Sequence, residues 1–513
     1  MRLRNRTTRA VTTASTAVLL AAASLITASA SAADGDEKTL TADPLATWQT
    51  DGIVWSVAYA RGVVYAGGTF NSVRPPGAKP GEKEVARKNF AAFDATTGEL
   101  LPCAPSFSGS GDTVRALKAS RDGKVLFVGG SFDKVGERGA ASAAALNTGD
   151  CSLRREFRPA VASYVRAIEV TRDAVYLGGD FTLVNGETRK HIAALTPSGS
   201  LLPFTADIDE PVRAILAAPD HGKLMVGGSF HEVNDAEAHA LVALDPSTGS
   251  TVTTYPHWVP KRTSVKSLAR HEDNFYVGAE GRGTGIFEGR LAGGLSKNEM
   301  LWKDMCLGAT QSVVVHNGVL YSGSHAHDCS RTPGGFPEHN NRQHFLANSL
   351  RDGRILHWFP DTNGGLGEQV GPRALVMAGD TLWAGGEFTA VNDKPQQGLT
   401  RFSAGPDTGA PEELPRLKAA DSSAGKVTLT WRAAWDRDDA ELTYRIYRDG
   451  VLVATQKQRS ASWDRPEMTY TDSVTPGSRH RYTIAVTDGD NTSPGSEPLE
   501  VTVAADERPK EER

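Results

Sequence analysis

The chemistry this sequence offers is concentrated in one stretch. Ser324-His325-Ala326-His327-Asp328-Cys329 is followed by Pro333-Gly334-Gly335-Phe336-Pro337-Glu338-His339 and by Arg342-Gln343-His344, and six of the 13 histidines stand from His316 to His357. Neutral imidazoles and carboxylates are good ligands of divalent metals, and His325 and His327, two apart on an extended segment, project to the same side. A cluster of His, Asp and Glu also suits acid–base chemistry near neutral pH. Against both stands a structural reading: an insertion pinned by Cys306 and Cys329 needs polar side chains to satisfy its irregular backbone. Three roles therefore remain open for His325, His327, Asp328, Glu338 and His344: structural, a ligand or glycan contact, or a metal or catalytic site. No metal ligand is assigned; a divalent metal at the His325/His327 loop is the only cofactor the residues suggest.

A second candidate follows in His357-Trp358-Phe359-Pro360-Asp361-Thr362-Asn363-Gly364-Gly365, where aromatic rings beside Asp361 and Asn363 have the composition of a sugar-binding loop. The alternative makes Trp358 and Phe359 core residues of a strand, like Trp258 and Trp302 earlier in the chain. Sharper signatures are missing: no Gly-x-Ser-x-Gly elbow, no phosphate-cradling Gly-x-x-x-x-Gly-Lys-Thr/Ser, no His-Glu-x-x-His and no complete EF-hand loop. Asp488-Gly489-Asp490-Asn491 resembles a calcium loop only locally. A hydrolytic carboxylate pair cannot be chosen among 61 acidic residues without distances. Catalytic residues stay unassigned.

What must position these groups is a chain of 513 residues, 39% hydrophobic and 23% charged, with a formal net charge of −5. That is ordinary globular composition, too long for one small core, and it lacks the positive field that collects nucleic acid. Arg2, Arg4, Arg6 and Arg9 precede an apolar run from Ala14 to Ala28 and the small residues up to Ala33, so residues 1–33 read as a secretion signal. No later segment has the ~20 apolar residues of a transmembrane helix. The expectation is a secreted, extracellular monomer. Four cysteines, none spaced Cys-x-x-Cys, suit disulfides in an exported chain. Of three possible pairings, sequence proximity favours Cys103 with Cys151 and Cys306 with Cys329.

Residues 45–403 carry a repeat: alternating apolar residues, a turn, then a second apolar stretch ending in Gly-Gly, one small or acidic residue and Phe. The doublets are Gly67-Gly68, Gly129-Gly130, Gly178-Gly179, Gly227-Gly228 and Gly385-Gly386, with degenerate copies at Gly278-Ala279 and Gly323-Ser324. Their spacings are 62, 49, 49, 51, 45 and 62 residues. Seven units of four short strands, with a period near 50, predict a seven-bladed β-propeller. The seventh unit stops one strand short, after Phe402. Leu45-Ala46-Thr47-Trp48-Gln49 matches the missing strand, and its addition would close the ring and remove an open sheet edge. The glycines read as close approaches near the axis and the Phe residues as core.

Val-Arg-Ala-Leu or Val-Arg-Ala-Ile (114–117, 165–168, 212–215), then Gly-Gly-x-Phe and Val-Asn-Gly (184–186), resemble the delta-60-type β-propeller repeat. That is a domain of unknown function common in secreted bacterial proteins. The resemblance implies the fold and no activity.

Residues 404–415 have the composition of a linker, and residues 416–504 then show short alternating strands. Trp431, Tyr444-Arg445-Ile446-Tyr447-Arg448-Asp449-Gly450 and Pro476-Gly477 before Tyr482 resemble a fibronectin type III domain, an all-β sandwich. His480 stands where that family places its corner tyrosine. Residues 505–513 form a charged tail expected to be disordered.

Two functions follow. One is a secreted recognition or scaffold protein that binds an extracellular polysaccharide or protein through a propeller face. The other is a polysaccharide-directed glycoside hydrolase or lyase, with the fibronectin type III domain as accessory. The residues lean away from an enzyme.

Overall fold

A computed structural model describes residues 37–505 apart from 341 and 424. The expected secretion signal and residues 506–513 of the tail lie outside them. Strands and turns dominate, and the only helix among the described residues is a single turn at Pro219–His221.

The repeat folds as the alternation dictates. In each unit an inner strand, a Gly-Gly strand and a third strand pair antiparallel: Ile53–Ala60, Val63–Thr69 and Phe90–Asp94 in the first unit, and Thr113–Ala119, Val125–Ser131 and Ala143–Asn147 in the second. Five further sheets of this pattern begin at Val165–Val170, Val212–Ala218, Thr263–His271, Thr310–His316 and Pro372–Ala378. The fourth and fifth sheets add an outer strand, Thr251–Thr254 and Met300–Lys303. In the first, second, third and sixth sheets, bridges such as Leu146 with Leu153 and Asn348 with Ile355 mark that position.

The glycines show how the sheets pack. A Cβ on Gly67 would lie 2.4 Å from a Val114 methyl, and the same contact recurs from Gly129 to Val165 (2.4 Å), Gly178 to Val212 (2.5 Å) and Gly227 to Val265 (2.3 Å). It continues from Gly278 to Thr310 (2.9 Å) and Gly323 to Pro372 (3.0 Å), and ends from Gly385 to Val54 at 2.4 Å. Each sheet thus presses a side-chain-free position against the next inner strand, and the seventh presses on the first. Any larger residue would force these strands apart. The Phe residues that follow the doublets, Phe70, Phe132, Phe181, Phe230 and Phe388, are buried in the clusters between sheets.

The seventh sheet meets the beginning of the described chain. Thr41 N–H donates to Ser403 O and Leu45 N–H to Arg401 O, both at 2.8 Å, while Leu40 and Ala42 enter the cluster around Phe402. The segment beside Phe402 therefore starts upstream of the Leu45–Gln49 stretch expected to occupy it. The Leu45–Gln49 stretch continues along the same sheet, with Thr50 N–H donating to Gln397 O at 3.2 Å, while Gln49–Thr50 also pairs with Ser72–Arg74 and Trp48 packs in the cluster that holds Leu399 and Trp383. Register explains the difference: Leu40 and Ala42, two apart, both face the core, whereas the polar Thr47 and Gln49 turn to Arg401 and Arg74.

Residues 418–502 form two facing sheets, of three and four strands, around Trp431, Tyr444, Ile446, Tyr482 and Ile484. His480 hydrogen-bonds Asp449 at 2.7 Å, and Tyr482 donates its hydroxyl to Asp472 at 2.8 Å. This sandwich docks on the preceding sheets. Phe336 and Phe359 pack on Trp463, Phe359 N–H donates to Arg437 O, and His357 bonds Asp436 O. Both cysteine pairs form, Cys103 with Cys151 and Cys306 with Cys329, leaving none free.

Candidate functional site

Every inner strand slips by one residue at the same place against its Gly-Gly partner. The shifts fall between Val54 and Ser56, Val114 and Ala116, Val165 and Ala167, Val212 and Ala214, Val265 and Ser267, Thr310 and Ser312, and Pro372 and Ala374. A bulge leaves its extra residue out of the ladder and re-aims its side chain. Those extra residues are Trp55, Arg115, Arg166, Arg213, Lys266, Gln311 and Arg373, and together they line one depression of about 110 Å³. The second glycine of the doublet makes room for the bulge: a Cβ on Gly130 would lie 2.1 Å from Thr113 O.

A second tier backs the first, built from the residue after each doublet. Arg166 makes a two-pronged pair with Asp180, both contacts at 2.5 Å; Arg213 Nε donates to Ser229 at 3.0 Å; Trp55 Nε1 donates to Thr69 at 2.9 Å. Lys266 and Gln311 both donate to Glu280, at 2.9 and 2.8 Å. Arg373 pairs with Glu368 and with the fully buried Glu387, each at 2.9 Å, and Glu387 also accepts the backbone N–H groups of Glu368 and Val370. His325 holds the equivalent tier position in the sixth sheet, its N–H bonded to Ala309 O as Asp180 N–H is to Tyr164 O.

Arg115 differs from its neighbours. Its guanidinium carbon lies 3.9 Å from the centroid of Trp55, which Arg373 also approaches at 4.4 Å, and its buried Nε meets no hydrogen-bond acceptor. Burial, then the neighbouring cations Arg166 and Arg373, push the Arg115 pKa down to about 10. Burial likewise lowers Arg213 and Lys266, with Glu280 opposing the shift in both. Crowded, partly desolvated cations are a standing demand for negative charge.

The residues singled out from sequence fall into separate pairs. His327 Nδ1 meets Glu338 at 2.8 Å, His344 Nδ1 meets Asp361 at 3.0 Å, and Asn363 bonds Thr389. Asp328 accepts Ser330 N–H. His325 is held below the usual histidine range by burial first and by His344 and Arg342 next. Trp358 and Phe359 are buried, with Trp358 Nε1 donating to Thr41 O, so neither ring offers a face to a sugar. Sequence reading passed over the bulge ring although its signal was present: a cation recurs at Arg115, Arg166 and Arg213 inside the repeated Val-Arg-Ala, between two buried apolar positions.

Among the described residues, only Asp407, Asp438 and Asp439 place three metal-ligating atoms within 4.8 Å of one another. They lie where the sandwich docks, with Asp438 accepting Ala42 N–H at 2.6 Å. Burial and then a hydrogen bond with Asp436 push the Asp438 pKa up to about 9; burial lifts Asp407 and Asp439 to about 6, aided by Asp43 and by Asp436 respectively. Folded pKa values above the unfolded ones mean stability fully present below about pH 4 and lost as pH rises through 6 towards 9. In chelator, the urea midpoint is therefore expected to fall between pH 5 and pH 9, and Asp438→Asn to flatten that fall. An unchanged pH profile in the variant would remove Asp438 as its source.

Residues 175–201 match the family model of a β-propeller domain of unknown function, DUF5122. No curated protein matches the chain. Among solved structures, a chain from the crystal structure of the Mitotic Checkpoint Complex is 13% identical with a TM-score of 0.43, covering 72% of this chain and 98% of that one. Saccharomyces cerevisiae Sqt1 is 10% identical with a TM-score of 0.41, covering 72% of this chain and all of its own. With the matched repeat inside sheets that pack in sequence, the seventh on the first, residues before the sandwich form a β-propeller.

Proposed function

We propose that the chain is a secreted recognition or scaffold protein, a seven-bladed β-propeller followed by a fibronectin type III domain, which binds an extracellular polysaccharide or protein at the propeller face bearing the bulge ring. The observation that carries this reading is the ring itself: seven strand positions freed from the ladder and aimed together, five of them cationic. Such a surface is built to hold a partner, since its carboxylates Asp180, Glu280, Glu368 and Glu387 are each paired with a cation. A glycoside hydrolase needs one carboxyl held protonated near neutral pH, whereas Glu280 and Glu368 are both lowered, Glu368 chiefly by Arg373 and Glu280 by Lys266 against the cost of burial. Two formed disulfides favour an oxidising compartment. No helix among the described residues is long and apolar enough to cross a membrane.

The test is a binding screen of the purified protein against cell-wall and plant polysaccharides and against secreted proteins. Retention of at least one ligand without turnover is expected. Release of reducing ends or unsaturated products from a polysaccharide would replace recognition with hydrolysis or lysis.

A further inference from the structure

The bulge ring is not electrostatically closed. Five cations stand at its level, Arg115, Arg166, Arg213, Lys266 and Arg373. The four carboxylates that reach them are committed to three: Asp180 to Arg166, Glu280 to Lys266, and both Glu368 and Glu387 to Arg373. The buried Nε of Arg115 meets no acceptor, and the guanidinium lies against Trp55 instead. Arg213 commits its Nε to Ser229, leaving its two terminal amino groups for a ligand. A guanidinium left without an acceptor in a partly desolvated site is costly, and planar bidentate recognition of an oxyanion relieves that cost.

On the recognition reading above, we infer that this ring takes one compact oxyanion, a carboxylate, sulfate or phosphate group, gripped by Arg115 and Arg213 with Arg166 between them in chain order. Size limits the choice. A depression of about 110 Å³ is well below the ~300–1,000 Å³ of pockets that enclose whole small molecules. The site therefore reads one charged group, either a free ion or the charged end of a larger ligand. Trp55 orients rather than stacks on the ligand, since guanidinium groups already cover it. Asp180 and Glu280 set a fence: they raise the Arg213 pKa against the effect of burial and repel an anion that strays from the gap.

The experiment is calorimetric titration of the full chain at low ionic strength with sodium phosphate, sodium sulfate and sodium acetate separately. One saturable site is expected for at least one of them. Arg115→Ala and Arg213→Ala should each weaken it at least about tenfold, the loss of one charged hydrogen-bonding partner. Arg115→Lys, which keeps the charge but not the planar fork, should fall between wild type and alanine, and His327→Ala should bind as wild type does. Thermal melts of the free variants within a few degrees of wild type identify them as folded; should Arg115→Ala fail this control, Arg115→Lys and Arg213→Ala decide. Absence of binding by all three anions, or affinities unchanged in the folded arginine variants, would overturn the inference. The recognition reading fails separately: anions bind with the expected variant losses, yet no polysaccharide or protein is retained.

Discussion

Arg290→Met is expected to cost about 3–5 kcal/mol of stability, the range for breaking a buried ion pair from one side. Arg290 and Asp304 have fully buried side chains. Arg290 Nε donates to Asp304 at 2.7 Å and a terminal amino group also meets it, while the other terminal amino group reaches Ser322. Asp304 further accepts Cys306 N–H at 2.9 Å and the Asn348 side-chain amide at 3.2 Å. The pair thus ties the third strand of the fifth sheet to the disulfide-bearing segment and to the sixth sheet. With methionine at 290, a carboxylate is left in the interior with only neutral donors. The double variant Arg290→Met, Asp304→Leu removes both charges and is expected to recover part of the loss, the rest persisting because Cys306 N–H and Asn348 lose an acceptor. Urea denaturation followed by fluorescence and by far-ultraviolet circular dichroism measures both. A single variant within about 1 kcal/mol of wild type would mean the interior relaxes around the charge, contrary to this packing.

Deleting residues 37–48 is expected to be of similar size or larger, roughly 4–6 kcal/mol from the burial of Leu40 and Ala42 and the loss of partners to a buried cation. Leu40 and Ala42 are each 2% exposed. Arg401, buried beside them, donates to Ala46 O and Thr47 Oγ1. The deletion also bares the edge strand Leu399–Ser403, whose unpaired groups are a template for another chain. Sedimentation should therefore show concentration-dependent self-association alongside a lowered urea midpoint. A monomer with an unchanged midpoint would show that the seventh sheet does not need these residues.

The architecture was legible because one physical cause repeats. The contact between a side-chain-free position and the next inner strand recurs seven times, so Gly67, Gly129 and Gly178 announced themselves through period and neighbours. The disulfide partners followed from proximity along the chain. The exact placement of the segment before Ile53 did not, because Leu40 and Ala42 alternate with polar residues much as Trp48 does between Thr47 and Gln49, and both stretches are buried, Leu40 and Ala42 among apolar side chains and Thr47 and Gln49 against the buried Arg401 and Arg74. The histidine-rich stretch drew attention by composition, yet Phe336 shows what the stretch packs against: it is fully buried and meets Trp463 of the sandwich. His339, three residues on, stacks on the Phe336 ring. Such a domain contact is invisible until the second domain is in place. The bulge ring was hidden differently. A strand pattern assigns Arg115 to one of two faces, and nothing in alternation alone says that a slipped register sends it to a third direction.

That third direction has a consequence for how such a protein diversifies. Residues on the two faces of an inner strand are constrained by packing, as the full burial of Val54, Val114, Val165, Val212 and Val265 attests. The slipped residue answers to neither face. Seven positions can therefore be rewritten together with the tier behind them, Arg166 with Asp180 and Arg373 with Glu387, a combinatorial vocabulary of matched pairs on an invariant frame, so that a lineage or a designer can change what is grasped while the strands keep their packing.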